Sequence, residues 1–287
     1  MVPDSPPLVT VVTPVLDGAT YIAATIESVL AQDYPNLEYF IIDGGSRDAT
    51  AQIARGYGDR VHFVCEQDRG QADAINRGFR LGSGSILAFL NADDVYARDA
   101  VARGVAELAR QPEAAVVYGR ADLIDENGTE IGRYPVEPFE AASLAERCFI
   151  AQPATFIRRD AYDEVGGFDP NLHFAFDYDF WIRLSRLRNF VMVDAVLASA
   201  RVHSGSKTVS QRRPACAEAV SVLSRHFGYV PYGWAFALSN AIVGGEGEFR
   251  RIGKVGLSLI LGLARNWRSP ARYVADWVSH RGFAKRR

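Results

Sequence analysis

The chain has 287 residues, 48% of them hydrophobic and 23% charged, with a formal net charge of −2. That length buries one large domain or one and a half, and the composition is that of a soluble globular protein. A net charge so near zero gives no reason to expect a nucleic-acid partner.

Cys65, Cys148 and Cys216 are widely spaced and form no CxxC or Cys/His ligand pattern, so they read as small buried hydrophobes in a reducing compartment. The opening MVPDSPPLVTVV carries no basic region followed by a long apolar run, which argues against a secretory signal. No stretch reaches the ~18 uninterrupted apolar residues that a spanning helix needs. The expected location is cytoplasmic.

Leu8–Thr13 is β-branched and predicts a first strand that ends at Pro14. Tyr21, Ile22, Ile26, Val29 and Leu30 form a helical stripe, and Leu37–Ile42 predicts a second strand closed by Asp43-Gly-Gly-Ser-Arg-Asp48. Ser46 suits the N-cap of a helix over Asp48–Tyr57. A short strand over Val61–Cys65, a helix over Gln71–Leu81 and a strand over Ser85–Leu90 follow, then a helix at Val101–Leu108 and a strand at Ala115–Tyr118. This alternation implies right-handed βαβ units and a mostly parallel sheet with helices on both faces.

Beyond Gly119 the pattern changes. Asp125-Glu-Asn-Gly128 predicts a hairpin turn, Thr155–Ile157 a strand, Gly166-Gly-Phe-Asp-Pro170 a turn, and Tyr178–Leu187 a helix. From Pro214 onward the sequence reads as helical. Its last part, Arg250–Arg287, holds ten Lys/Arg and one acidic residue, Asp276, among Trp267, Tyr273, Trp277 and Phe283. Two readings stand for it: a segment lying on an anionic membrane surface, or a helical pair packed on the enzyme with a solvated basic face.

The most informative stretch is Ser85–Tyr96, SILAFLNADDVY, an apolar run that ends in Asn91, Asp93 and Asp94. Adjacent carboxylates at the carboxyl end of a buried strand repel one another unless a positive group sits beside them, and a hard divalent cation bridging to phosphate is the common solution. The bland alternative is that one of them caps a helix beginning near Ala97. Asp17, Asp43 and Asp68 also fall at strand ends or turns, so four carboxylate-bearing loops should converge on one sheet edge. Neither GxxxxGK[ST] nor a GxGxxG after the first strand is present, which argues against P-loop and dinucleotide-binding readings.

Thr13-Pro-Val-Leu-Asp-Gly18, Ile42-Asp-Gly-Gly-Ser-Arg-Asp48, Gly70-Gln-Ala-Asp-Ala-Ile-Asn-Arg-Gly78, Asn91-Ala-Asp-Asp94 and Phe176-Asp-Tyr-Asp-Phe-Trp181 occur in the order found in family-2 glycosyltransferases, and Arg201–Lys207 resembles the loop that follows. The resemblance covers roughly residues 8–210. It implies an α/β chain of the GT-A fold: a nucleotide-sugar-binding half over 1–119, an acceptor-binding and catalytic half over 120–213, and a helical extension over 214–287. It also implies an inverting enzyme that takes a nucleotide sugar, uracil being the commonest base, and a glycan or polyprenyl-diphosphate-linked acceptor in cell-surface polysaccharide assembly. That work would be done at the inner face of the cytoplasmic membrane.

Carried over by position, Asp43 accepts a hydrogen bond from the base, which Thr13, Pro14 and Val15 flank. Asp17, Asp68, Gln71, Asp73, Asn91 and Ala92 join them on the donor side. Asn91-Ala-Asp93 stands at the family's DxD position, so Asp93 ligates Mg2+ or Mn2+, with His203 as a further metal contact. Asn91 in place of the first Asp can still hydrogen-bond the ribose but adds no charge. If the segment is extended, Asp94 points to the other side and supports the loop. Asp177 stands at the position of the catalytic base, a role compatible with capping a helix that begins at Tyr178. The family's usual Glu before it is Phe176 here. Gln152, Asp179, Trp181 and Lys207 are expected in support or on the acceptor side. Competing readings are a sugar-1-phosphate nucleotidyltransferase, disfavoured because Pro14–Thr20 lacks Lys or Arg, and a sugar-nucleotide-binding protein without catalysis, disfavoured by the presence of both Asp93 and Asp177.

Overall fold

The computed structural model describes residues 5–245 and 248–283, and its first strand, β1 (Val9–Val15), is buried at every position. β1 pairs in parallel with β2 (Leu37–Asp43) on one side and β4 (Ile86–Phe89) on the other, and β3 (His62–Cys65) adds to β2. The strand runs through Pro14 instead of ending there. Its pairing with β4 stops at Val12, so Pro14 lies where that side has no ladder for a missing N–H to break.

The sheet continues with β8 (Thr155–Arg158), β6 (Ala114–Ile124), β9 (Asn189–Arg201) and the short β5 (Val95–Tyr96), while β7 (Glu130–Arg133) forms a hairpin with β6. It is parallel from β3 to β4 and mixed beyond, because β8 runs antiparallel to both β4 and β6 whereas β6 and β9 are parallel. The hairpin turn falls where the sequence predicts it, with Asp125 Oδ1 accepting the N–H groups of Asn127 and Thr129. β6 is much longer than Ala115–Tyr118 because β9, far along the chain, pairs along nearly its whole length.

Helices cover both faces. On one, Val9, Val11, Tyr39 and Ile41 pack with Ile22, Ile26 and Val29 of α1 (Ile22–Leu30). On the other, α3 (Gln71–Leu81) crosses β1 so closely that a Cβ at Gly78 would lie 2.6 Å from the Val12 methyls. α2 (Thr50–Arg55), α4 (Ala100–Arg110), α5 (Arg159–Glu164) and α6 (Phe176–Leu184) complete this layer set. Cys65 is exposed and Cys148 and Cys216 are half-buried, correcting the expectation of three buried cysteines; for Cys65 the reason is that β3 is the sheet's outer strand.

At the opposite end from the strand termini, Glu38 accepts hydrogen bonds from Thr10 Oγ1 (2.6 Å), Ser83 N (2.5 Å) and Gly84 N (2.9 Å). Burial pushes its carboxyl up, but these donors and the Arg159 charge outweigh that and hold it below its ordinary value. A depressed folded-state pKa stabilises the fold above the unfolded pKa, and the benefit is lost as pH falls through the folded one. Glu38→Gln is therefore expected to lower stability by about 1–2 kcal/mol at neutral pH. The difference from wild type should shrink in acid, as read by urea titrations across pH.

The strands, α1–α6 and their loops form one compact unit, Met1–Phe139 with Phe149–Ser206. Glu140–Cys148 and Lys207–Arg287 form a second. It contains α7 (Lys207–Ser210), α8 (Arg212–Phe227), α9 (Tyr232–Val243), α10 (Glu248–Arg265) and α11 (Pro270–Phe283). Tyr229, Ala235 and Tyr273 form one of its cores with Leu259, Leu263 and Trp277. Asn266 locks the turn between α10 and α11 by exchanging two hydrogen bonds with the Val230 backbone, 2.8 and 2.9 Å. Among the described residues no helix is long and apolar enough to cross a membrane.

Candidate active site

The loops after β1 and β2 are laced together at the carboxyl edge of the sheet. Asp17 adopts φ 51°, a conformation that Asp tolerates better than most residues. Its N–H donates to Ser46 Oγ (2.8 Å), and its Oδ1 accepts the Arg47 N–H (2.7 Å). Ser46 does not cap a helix, contrary to the sequence reading. Its hydroxyl is committed to Asp43, and α2 begins at Thr50, whose N–H goes to Asp48 Oδ1. Thr13 is fully buried beside the Asp43 loop, with Oγ1 2.8 Å from Tyr39 Oη, and Pro14 and Val15 are buried with it.

Asp43 has no exposed surface. Oδ1 accepts from Gly45 N, Ser46 N and Ser46 Oγ at 3.1, 2.8 and 2.6 Å, while Oδ2 takes no N–H or O–H donor; the Cys65 thiol, aligned with Asp43 in β3, meets this carboxylate as a weak donor. A buried carboxylate oxygen left open in this way needs a donor from elsewhere. Asp68 lies close by: a Cβ on Gly44 would sit 2.7 Å from its Oδ2. Burial, and then the nearby charges of Asp73 and Asp43, push the Asp68 carboxyl above its usual range. Asp73 itself is taken up by Arg69 at 3.1 Å on the surface.

Gln71 opens α3 and donates to Asn91 Oδ1 (2.6 Å). Asn91 in turn donates to Asp94 Oδ2 and Gln152 Oε1, each at 3.1 Å, and Gln152 Nε2 returns to the Phe89 carbonyl (2.8 Å). These amides hold the end of β4. Ala92 faces the first loop, 3.4 Å from where a Gly18 Cβ would stand. The segment after Asn91 is a turn closed by Asp94 N to Asn91 O, not the extended stretch the alternation argument assumed. The two carboxylates diverge all the same. Asp94 is buried and accepts the Arg201 N–H (2.9 Å); burial, reinforced by the Asp93 charge, pushes it up to about 8. Asp93 remains partly open, with Oδ2 3.1 Å from His203 Nε2. Neither caps a helix near Ala97, since α4 starts at Ala100 after Asp99.

Two side chains that the sequence reading passed over hold this corner. Arg201 donates to the backbone carbonyls of Asp93 and Asp125 (2.9 Å each), and its guanidinium lies 4.7 Å from the Tyr21 ring centre. The Tyr21 ring is 4.8 Å from His203. Arg201 heads the loop motif containing His203, which was the available signal; nothing local marked Tyr21.

Asp177 lies in the first turn of α6, but the residue at the cap is Ala175, so Asp177 is not the N-cap. Its Oδ1 accepts the Tyr178 N–H at 2.7 Å. Phe176 beside it packs on Phe89, two residues before Asn91, at 6.0 Å between ring centres, which fastens the start of α6 to the end of β4. Asp179 is 2% exposed and pairs with Arg183 at 2.7 Å, and Arg183 also donates to the carbonyls of Val165 and Gly167. Trp181 is fully buried against Phe180 and Phe190. Lys207 opens the second unit. Asp179→Asn strips the charge partner from Arg183 and is expected to destabilise the fold by about 3 kcal/mol, measured as a lower urea midpoint.

Among the described residues no group of three or more His, Cys, Asp or Glu side chains is placed to hold a metal. Asp93 and His203 are two ligand-type side chains at one point, so a cation there would need further oxygens from its ligand.

Residues 10–170, more than half of the chain, match the sequence profile described as Glycosyl transferase family 2. The chain belongs to that family. An uncharacterized glycosyltransferase of Rickettsia prowazekii is 29% identical over 215 residues, covering 70% of this chain and 66% of that protein. A PGL/p-HBAD biosynthesis glycosyltransferase of Mycobacterium tuberculosis is 30% identical over 182 residues, 62% of this chain and 69% of that protein. The chain spans only 37% of a further relative, an uncharacterized glycosyltransferase of Rickettsia conorii. Among solved structures, S. aureus TarS 1–349 in complex with UDP-GlcNAc superposes with a TM-score of 0.63 at 16% identity, over 96% of this chain and 92% of that one. Mannosyltransferase PcManGT from Pyrobaculum calidifontis, in complex with GDP-Man and Mn2+, gives 0.61 at 20% identity over 96% and 76%. This family-2 chain has their GT-A fold.

Proposed function

We propose that the chain is an inverting glycosyltransferase. In this reading it moves a sugar from a nucleoside-diphosphate sugar, a UDP-sugar, to a hydroxyl of a glycan or polyprenyl-diphosphate-linked acceptor, with Mg2+ or Mn2+, in cell-surface polysaccharide assembly. The observation that carries the donor half is Asp43 Oδ2, buried at the carboxyl edge of the sheet and reached by no N–H or O–H donor. It is an acceptor waiting for a planar N–H donor, which the imide of uracil supplies. The relative bound to UDP-GlcNAc and the one bound to GDP-Man and Mn2+ support a nucleotide sugar and a divalent cation.

Asp93 and His203 would hold the cation. When bound, it supplies Lewis-acid neutralisation of the leaving diphosphate. The amides of Gln71, Asn91 and Gln152 fix the loop that carries Asp93. Asp177 takes the proton of the acceptor hydroxyl, and its place in the first turn of α6 favours the ionised form it needs. The test is a donor-hydrolysis screen over UDP-, GDP- and dTDP-sugars with Mg2+ or Mn2+. Metal-dependent release of UDP is expected. Absence of nucleotide release from every donor, with and without a lipid-linked acceptor, would overturn the proposal.

A further inference from the structure

The α10–α11 hairpin of the second unit has one face turned into its core and another turned to solvent. On α11, Tyr273 and Trp277 go inward, while Val274 and Val278, each one residue further on, are 41% and 56% exposed. On α10, Leu259 and Leu263 pack inside and Ile260 does not. Trp267 stands in the turn between the helices, 69% exposed. Its neighbours in the sequence are exposed arginines: Arg265, Arg268, whose guanidinium lies 5.0 Å from the Trp267 ring, and Arg272. The nearest acidic side chain in sequence, Asp276, accepts hydrogen bonds from Tyr229 Oη (2.9 Å) and Tyr232 N (2.8 Å).

We infer that this hairpin tip docks on an anionic lipid surface, with Trp267 at the headgroup level and Arg265, Arg268 and Arg272 on the lipid phosphates. Charge chooses the occupant. An exposed indole with one arginine stacked on it and two more exposed arginines within five residues of sequence matches the interface of a bilayer rich in acidic lipid, where an indole gains from the apolar boundary and each basic residue from the surface potential. An apolar patch meant for a second copy of the chain would place like charges against one another. Docking here is peripheral, consistent with the absence of a spanning helix among the described residues. It goes beyond the donor chemistry and is independent of it: vesicle binding is read without any sugar nucleotide.

The experiment is co-sedimentation of the full chain with phosphatidylcholine vesicles, with and without phosphatidylglycerol. Wild type is expected to pellet with the acidic vesicles alone and to be released by high salt. Each arginine near such a surface contributes on the order of 1 kcal/mol, so Arg265→Gln/Arg268→Gln/Arg272→Gln should weaken binding on the order of 100-fold. Trp267→Ser should abolish a blue shift of tryptophan emission on vesicles. Arg272 stacks on Tyr229 at 4.2 Å, so if the triple variant melts early the double Arg265→Gln/Arg268→Gln variant replaces it, with a proportionately smaller loss. Equal binding by wild type and variants, equal binding to neutral vesicles, or no vesicle binding would overturn the inference. So would a concentration-dependent dimer that Trp267→Ser dissolves while vesicle binding stays unchanged.

Discussion

Asp177→Asn is expected to lower sugar transfer by roughly 10²–10⁴-fold while leaving donor binding and melting temperature near wild type, because a positioned general base contributes about that much. The structure makes this a cleaner substitution than a capping role would allow. Asp177 lies inside the first turn and not at the cap, and the Tyr178 N–H that its Oδ1 accepts can be accepted equally by an asparagine carbonyl. What asparagine cannot do is take a proton. The neighbouring Asp179→Asn gives the opposite signature, a loss of stability through Arg183, and the pair of variants separates base from scaffold. Transfer rate, UDP affinity and melting temperature measured on both decide it. Near wild-type transfer by Asp177→Asn would place the base elsewhere.

Asp93→Ala is expected to abolish metal-dependent UDP binding, with turnover lost as it is when EDTA is added to wild type. Groups that only orient a metal ligand already account for about 10–100-fold in metal affinity, so loss of a ligand itself should cost on the order of 100-fold or more. His203→Ala should cost less, since a carboxylate supplies charge and the imidazole does not. The expected calorimetric result is a metal-enhanced UDP isotherm for wild type and a flat, metal-independent one for Asp93→Ala. Undiminished metal-dependent binding in that variant would remove Asp93 from the metal site.

The strand-end carboxylates were legible because each sits beside its own strand. Apolar runs ending in Asp17, Asp43 and Asn91–Asp94 need only the rule that parallel strands share a carboxyl edge. The helix over Gln71–Leu81 matches its predicted limits because Gly70, at φ 127°, stops the chain before it. What stayed hidden depends on partners far along the chain. β6 is eleven residues long only because β9 lies beside it, and Ser46 leaves the helix because Asp43 takes its hydroxyl. Tyr21 meets Arg201 and His203 across some 180 positions of sequence, and nothing local to Tyr21 announces it. Trp181 carried an expectation of support or of the acceptor side from its motif, and the helix places it in the aromatic core between Phe180 and Phe190.

The central claim is that a nucleotide base is read by Asp43, and titration calorimetry of UDP against wild type and Asp43→Asn, in Mn2+, tests it most directly. In the variant the amide oxygen would stay with the three donors that hold Oδ1, so the amide N–H2 would replace Oδ2 and present a donor to the imide N–H. A mismatched buried donor costs about 1–3 kcal/mol, so UDP affinity should fall roughly 10–100-fold with the fold intact. Equal UDP affinity in the two proteins, or no saturable binding of UDP by wild type, would contradict the account.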